Sequence, residues 1–176
     1  AEQGHDVVLV EKGRGVGGRM STRRMAGARI DHGAQFFTVR DSRMKELLTK
    51  WQSMDAVTPW YDSIAGREDI PKSIRYRGIN GMTAPAKALA KSFSFQKEFF
   101  VDSIFFDEEW QINEKGGGKR KLFADHLVLT LPVPQMLELF QRSQFELESK
   151  VMDQLEAVRY TRCLALLGIL DRPSSL

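Results

Sequence analysis

The apolar residues near the start of the chain form one continuous run instead of alternating with polar ones. Residues 6–10 read DVVLV, and Glu11 ends the run before a loop, residues 12–24, in which glycines and arginines are mixed. A continuous apolar run is typical of a strand in a parallel sheet that is covered on both faces. The pattern therefore predicts a buried strand that opens into a flexible, cationic loop.

The next segments predict a second mixture of strands and helices. Residues 36–39 fit a short strand, and Asp41 is a plausible N-cap for a helix whose apolar stripe is Met44, Leu47, Leu48 and Trp51. Residues 74–93, IRYRGINGMTAPAKALAKSF, predict a strand, a glycine turn and a helix capped by Thr83 with Pro85 in its first turn.

The second half of the chain predicts a small antiparallel meander followed by helices. Apolar and polar residues alternate in pieces across residues 98–132, and the last piece, HLVLTLP, is apolar enough to return to the parallel sheet. PQMLELFQ and residues 145–158 fit helices. TRCLALLGIL, residues 161–170, fits one more strand, on which Cys163 would be buried.

Composition narrows the class of protein. The 176 residues are 42% hydrophobic and 28% charged, which is ordinary for about one globular domain. A net charge of +3 is too small for a dedicated nucleic-acid binder. One cysteine cannot form an intrachain disulfide, and no signal peptide or membrane-spanning run is visible. A cytoplasmic protein without nucleic-acid or membrane partners is the expectation.

The strand that ends in an acid has a specific chemical meaning. In a doubly wound sheet, an acid at the carboxyl end of the second strand hydrogen-bonds the ribose of an adenine nucleotide. Glu11 has this position. Gly15, Gly17 and Gly18 remove side chains where backbone must approach a pyrophosphate, and Arg19 can neutralise its charge. The sequence predicts a dinucleotide site in an α/β fold.

These residues also resemble a known family. VEKGRGVGGRMSTRR followed by DHGAQFF is similar to the signature of the flavin amine-oxidase superfamily, in particular the bacterial renalase-like proteins. YRGINGM, ADHLVLTLPVPQ and VRYTRCLALL resemble later blocks in the same order. The resemblance implies an FAD-binding Rossmann-like doubly wound parallel sheet with a small antiparallel meander and the start of a substrate domain.

The resemblance also implies the cofactor contacts and the reaction. FAD would lie against Glu11, Lys12, Arg14, Gly17, Gly18, Arg19, Met20, His32, Gly33, Ala34, Gln35, Val101, Leu131 and Pro132. Glu11 would hold the ribose, and residues 32–35 would approach the isoalloxazine. The flavin would take a hydride from a small reduced substrate, an isomeric dihydronicotinamide dinucleotide or an amine, and pass the electrons to oxygen. No metal and no catalytic residue is assigned.

The same resemblance divides the chain. Residues 1–50 would be part of the FAD-binding domain, 51–97 the start of the substrate domain with a helical segment, 98–141 the meander returning to the FAD-binding sheet, and 142–176 further substrate domain. Relatives carry a GxGxxG turn before the acid and continue after Leu176. The sequence is therefore interpreted as an internal piece of a flavoenzyme.

Two alternatives keep the same residues without catalysis. A split or decayed flavoprotein would retain the nucleotide signature and lose turnover. A nucleic-acid module could use the arginines and glycines of residues 13–25 together with KGGGKRK. Arg23, Arg24 and Arg29 are most simply a solvated face, and His32 could equally be a core or capping histidine.

Overall fold

A computed structural model of the chain describes residues 4–116 and 120–172. Over these residues the protein is a mixed α/β structure with a parallel sheet, antiparallel strands and helices, which confirms the predicted fold class. In chain order the elements are β1 (Val8–Val10), β2 (Thr22–Met25), β3 (Ala28–Asp31), β4 (Phe37–Thr38), α1 (Ser42–Ser53), β5 (Val57–Tyr61), β6 (Arg75–Gly78), α2 (Thr83–Ala90), β7 (Ser94–Gln96), β8 (Val101–Asp107), β9 (Glu109–Glu114), β10 (Lys121–Ala124), α3 (Val133–Ser143) and α4 (Ser149–Glu156).

The chain divides into two compact units. Among the described residues, the first unit contains residues 4–9, 15–95 and 164–172, and the second contains residues 10–14, 96–116 and 120–163. Strands β1 and β7 form the two-stranded parallel sheet. The prediction that β1 is buried is wrong: within the described residues β1 pairs with β7 alone, and Val8 and Val10 remain 45% and 37% exposed.

The first unit is built on helix α1 and the antiparallel sheet β4-β6-β5. Asp41 caps α1, since its carboxylate accepts a hydrogen bond from the backbone N–H of Arg43 at 2.9 Å. Leu48 and Trp51 are buried, and Met44 and Leu47 pack beside them. The apolar stripe predicted from the sequence is thus a core face, as the helical spacing indicates.

A β-hairpin that the sequence analysis missed precedes this sheet. Strands β2 and β3 pair antiparallel from Thr22 opposite Asp31 to Met25 opposite Ala28. Ala26 and Gly27 connect them with φ values of 47° and 78°, the left-handed backbone that a tight two-residue hairpin turn needs.

The second unit contains the predicted meander. Strands β8, β9 and β10 form a three-stranded antiparallel sheet, and α3 and α4 follow it in sequence. Its core contains Phe99, Ile104, Ile112, Leu139 and Phe140. The helix predicted over residues 145–158 is shorter, because Phe145 and Leu147 pack against this core before α4 begins at Ser149.

Two predicted strands are wrong. Residues 126–132 do not form a strand. Leu127 and Leu129 pack against the core as alternate residues of a strand would. However, no neighbouring strand within the described residues pairs with their backbone. Residues 161–170 are also irregular, and Leu166 is 99% exposed. Cys163, predicted to be buried there, is exposed.

Candidate functional site

Residues 11–14, here called the Glu11 loop, are held by backbone hydrogen bonds within the second unit. The N–H of Glu11 donates to the Gln96 carbonyl at 2.9 Å, and the Glu11 carbonyl accepts from Phe99 at 3.0 Å. The Gly13 carbonyl accepts from the N–H of Glu98, also at 3.0 Å. These bonds continue strand-like pairing past the end of β1, so the backbone that carries the Glu11 side chain is fixed.

The carboxylate of Glu11 is only partly used by the protein. Its Oε1 accepts a hydrogen bond from the N–H of Gly13 at 2.8 Å, which folds the loop back over the acid. Its Oε2 has no partner among the described residues. A carboxylate can accept about four hydrogen bonds in total, so the group keeps acceptor capacity for hydroxyl groups of a ligand.

Arg120 stabilises the residues that bond the Glu11 loop. Its Nη2 donates to the Glu98 carbonyl at 2.7 Å, its guanidinium lies 4.9 Å from the Phe99 ring centroid, and its Nε donates to a Glu114 carboxylate oxygen at 2.9 Å. The hydrogen bond with Glu114 raises the pKa of the Arg120 guanidinium above its usual value. Arg120 therefore stays charged and ties residues 97–99, which bond the Glu11 loop, to strand β9.

The two cations of the Glu11 loop lie at its surface. The Lys12 ammonium is 3.5 Å from Oε1 of Gln135 in the first turn of α3. The Arg14 side chain is 95% exposed, and its Nε lies 3.9 Å from a carboxylate oxygen of Glu98. Exposed pairs of this kind hold their side chains weakly, so both cations can turn toward an anionic ligand.

Three further predicted contact residues also belong to the second unit. Val101 begins β8 and packs against the core, whereas Leu131 is 36% exposed. Pro132 is the N-cap residue of α3, and its carbonyl accepts from Met136 at 3.0 Å.

Residues 17–20 form a compact turn in the first unit. Gly18–Met20 is one turn of 3-10 helix, and the N–H of Met20 donates to the Gly17 carbonyl at 2.7 Å. Gly17 and Gly18 have φ values of 127° and 47°, which favour glycine. The Arg19 side chain is exposed and bonds nothing within the described residues.

The segment of residues 32–35 packs against that turn through its backbone. The N–H of Ala34 donates to the Arg19 carbonyl at 3.0 Å, and a Cβ on Gly33 would lie 2.0 Å from the same oxygen. His32 Nε2 is 3.3 Å from the Ser21 hydroxyl, and Gln35 is exposed. The glycine at position 33 is therefore required by the protein's own packing.

A polar network, here called the hairpin anchor, joins the β2–β3 hairpin to α2. Asp31 Oδ1 accepts from the Thr22 hydroxyl at 2.6 Å and from the N–H of Met82 at 2.9 Å. The Thr83 hydroxyl accepts from the N–H of Thr22 at 2.7 Å, and the N–H of Thr83 donates back to the Thr22 hydroxyl at 3.1 Å. The start of α2 is thus capped by side chains of the hairpin.

This network corrects the prediction that Thr83 caps its own helix. Thr83 is the first residue of α2, and its hydroxyl bonds the hairpin instead of the helix N-terminus. Pro85 in the first turn was predicted correctly. The acid at position 31 was not singled out from the sequence, and its position opposite Thr22 becomes visible only once the hairpin is recognised.

The glycines of the loop differ in what surrounds them. Added Cβ atoms on Gly15 and Gly18 would meet nothing within 4 Å, whereas one on Gly17 would lie 3.2 Å from the Thr83 methyl. Gly18 still has a left-handed backbone that favours glycine, whereas neither packing nor a positive φ requires a glycine at position 15.

A comparison with protein families finds a match over the first part of the chain. The family model of the NAD(P)-binding Rossmann-like domain matches residues 1–51, a domain found in FAD- and NAD-dependent oxidoreductases. The match contains Glu11, the glycines, Arg19 and residues 32–35.

The described residues contain neither a group of metal ligands nor a membrane-spanning helix. Across residues 4–116 and 120–172, no three His, Cys, Asp or Glu side chains are grouped so that they could hold a metal ion. None of the helices in these ranges is long and apolar enough to cross a bilayer.

Proposed function

We propose that the protein is an FAD-dependent oxidoreductase of the renalase-like, amine-oxidase-like kind. One observation carries the proposal: an acid ends strand β1 with one carboxylate oxygen bonded to its own loop and the other unused. The Rossmann-like family match over residues 1–51 supports it. A ribose hydroxyl is the group that an acid in this place of a dinucleotide-binding domain accepts from.

The proposal assigns each predicted contact residue to one part of FAD. Glu11 would accept from the ribose, with Lys12 and Arg14 as mobile cations beside it. Gly17, Gly18, Arg19 and Met20 would line the diphosphate, since Gly18 offers open backbone and Arg19 an unengaged guanidinium. Residues 32–35, together with Val101, Leu131 and Pro132, are proposed contacts of the flavin side.

The chemistry would come from the cofactor, and the protein would bind and orient. A bound flavin would supply the redox chemistry: it would take a hydride from the substrate, and with one further proton released by the substrate or by water, oxygen would be reduced to hydrogen peroxide. The proposed substrates are an isomeric dihydronicotinamide dinucleotide or an amine. The proposal includes a reducing, cytoplasmic location, for which the single cysteine of the sequence is the support.

Flavin retention tests the proposal. The purified chain is mixed with FAD and passed through a desalting column, and its visible spectrum is recorded. Bound flavin gives bands at about 375 and 450 nm. We expect retention in the wild type and a loss of about tenfold or more in affinity for Glu11→Ala and Arg19→Ala, because each removes a charged contact.

Matched variants separate a local contact from net charge. Glu46→Ala and Arg24→Ala remove the same charges at exposed positions outside the proposed site and should bind FAD as the wild type does. Urea denaturation of each variant controls for folding. If the wild type retains no flavin, or if Glu11→Ala and Arg19→Ala retain it unchanged, the proposal is wrong.

Turnover separates an enzyme from a non-catalytic nucleotide-binding protein. The FAD-loaded chain is supplied with dihydronicotinamide isomers or amines while oxygen uptake and peroxide are followed. Peroxide formed in step with substrate oxidation supports the oxidoreductase. Flavin that stays oxidised with every substrate supports the non-catalytic alternative.

A further inference from the structure

The sheet β4-β6-β5 has one face that the core does not use. Side chains alternate between the faces of a strand, and Phe37 and Tyr76 point into the core around Trp51. Arg75 and Arg77 therefore point to the opposite face of β6, where their paired neighbours are Thr38 on β4 and Thr58 on β5. This face of β6 therefore has two arginines about 7 Å apart along the strand, of which Arg75 is buried and Arg77 exposed.

Arg75 is a buried cation without an acid. It is 6% exposed, and its Nη1 donates to the carbonyls of Asp62 and Ser73, each at 3.1 Å. Its guanidinium lies 5.6 Å from the Phe36 ring centroid and 5.1 Å from that of Tyr61. Its Nε has no hydrogen-bond partner, and no carboxylate of the described residues pairs with it. Since buried charges are normally paired, Arg75 leaves a positive potential at this face.

Arg77 lies on the same face of β6 as Arg75 and is exposed. Its guanidinium lies 5.6 Å from the ring centroid of Trp60, which is 48% exposed and packs edge-on against Tyr61 at 4.8 Å. Like Arg75, it bonds no carboxylate within the described residues. The result is an exposed indole beside an unpaired guanidinium, a pair that can contact a planar ring and an anion together.

A cavity of about 420 Å³ lies next to Arg77. Arg29, Thr58 and Asn80 also line it, and Arg29 donates to the Asn80 side-chain oxygen at 2.5 Å. Asp31 is the one acid of this lining, and its Oδ1 is engaged in the hairpin anchor. Two arginines thus face one acid, so the charged side chains of the lining leave one positive charge in excess, which favours an anionic occupant.

We propose that this face, here called the cationic face, binds a phosphate ester of a planar ring, such as a nucleoside monophosphate. The phosphate would lie in the cavity against Arg77 and Arg29, and the ring would lie against Trp60. The positive charge of the buried Arg75 would strengthen phosphate binding. All these residues belong to the first unit, and the proposal does not depend on FAD binding.

Calorimetric titration with AMP, adenosine and inorganic phosphate at low salt tests the proposal. We expect AMP to bind more tightly than either of its parts, since it alone offers both ring and phosphate. Arg77→Gln should weaken AMP binding by about tenfold or more, because a charge-assisted hydrogen bond is lost. Trp60→Leu should weaken AMP binding and leave the weaker binding of inorganic phosphate unchanged.

Two further variants decide where AMP binds. Lys45→Gln removes a positive charge from the exposed face of α1, which packs on the opposite, core side of the sheet, and should leave affinity unchanged. Arg19→Gln reports on the loop proposed for FAD. No AMP binding, equal losses in Arg77→Gln and Lys45→Gln, or a loss confined to Arg19→Gln would each overturn the proposal. Arg75 is left intact in these variants, because its burial makes it a risk to folding.

Discussion

The Glu11 loop and the hairpin anchor both derive from the stretch predicted to bind a dinucleotide, yet they are stabilised differently. Backbone hydrogen bonds hold the Glu11 loop. Its charged side chains lie at the surface and can form further hydrogen bonds. In the hairpin anchor, side chains bond each other and the backbone, and Asp31 has two donors on one oxygen. The first keeps hydrogen-bonding capacity that the described residues do not use, whereas the hydrogen bonds of the second lie within the fold.

The glycines show the same contrast. Gly33 has no room for a side chain because the Arg19 carbonyl lies against it, whereas Gly15 faces open space. A glycine in a motif can thus serve the protein's own packing or an incoming molecule, and the space around it distinguishes the two.

Substitution of these two glycines gives the largest expected difference. Gly33→Ala should lower the free energy of unfolding by about 3 kcal/mol, because its Cβ would overlap a backbone oxygen that cannot move alone. Gly15→Ala should change it by less than about 0.5 kcal/mol. Urea denaturation measures both values, and equal losses would break the comparison.

Removal of the Asp31 carboxylate should have the next largest effect. Asp31→Ala leaves the Thr22 hydroxyl and the Met82 N–H without their acceptor, so we expect a loss of about 1–3 kcal/mol in the free energy of unfolding. Asp31→Asn keeps an oxygen acceptor and should recover most of the lost free energy of unfolding. Asp125→Ala, at an exposed position, is the matched control. An unchanged free energy of unfolding in Asp31→Ala would show that the network does not stabilise the first unit.

The smallest effect is expected at Asp41, outside both regions. Its hydrogen bonds with the side chain and backbone N–H of Arg43 lower its pKa below 3.8. A carboxyl whose pKa falls on folding stabilises the protein above its unfolded pKa, and that contribution disappears as pH falls through the folded value. Wild type should have a slightly higher Tm than Asp41→Asn at pH 7, and the gap should close in acid. A gap that does not narrow as the pH falls would contradict this assignment.

Local signals were sufficient for part of the structure. The Asp41 cap, the stripe of α1 and the meander β8-β9-β10 follow from residues close in sequence, and the structure confirms them. The end of β1 at Val10, just before Glu11, was equally visible because a continuous apolar run stops there.

Long-range partners explain what the sequence analysis missed. Thr83 fits a helix cap by local rules, but its hydroxyl bonds Thr22, 61 positions away. The hairpin had a readable signal, since an Ala-Gly pair between two polar segments can form a left-handed turn, and the arginines around it concealed that signal. The cationic face follows from Arg75 and Arg77 at alternate positions, which needs the register of β6 to be known.

The extended segment of residues 126–131 has a consequence for the protein at high concentration. Leu127 and Leu129 pack against the core, Val128 is 82% exposed, and within the described residues no strand covers their backbone groups. An apolar segment whose backbone groups are not paired with a neighbouring strand is a template on which a strand of another molecule can add. Solubility should therefore be limited by intermolecular strand addition at this segment, and one lysine in place of Val128 should raise the concentration at which the protein aggregates.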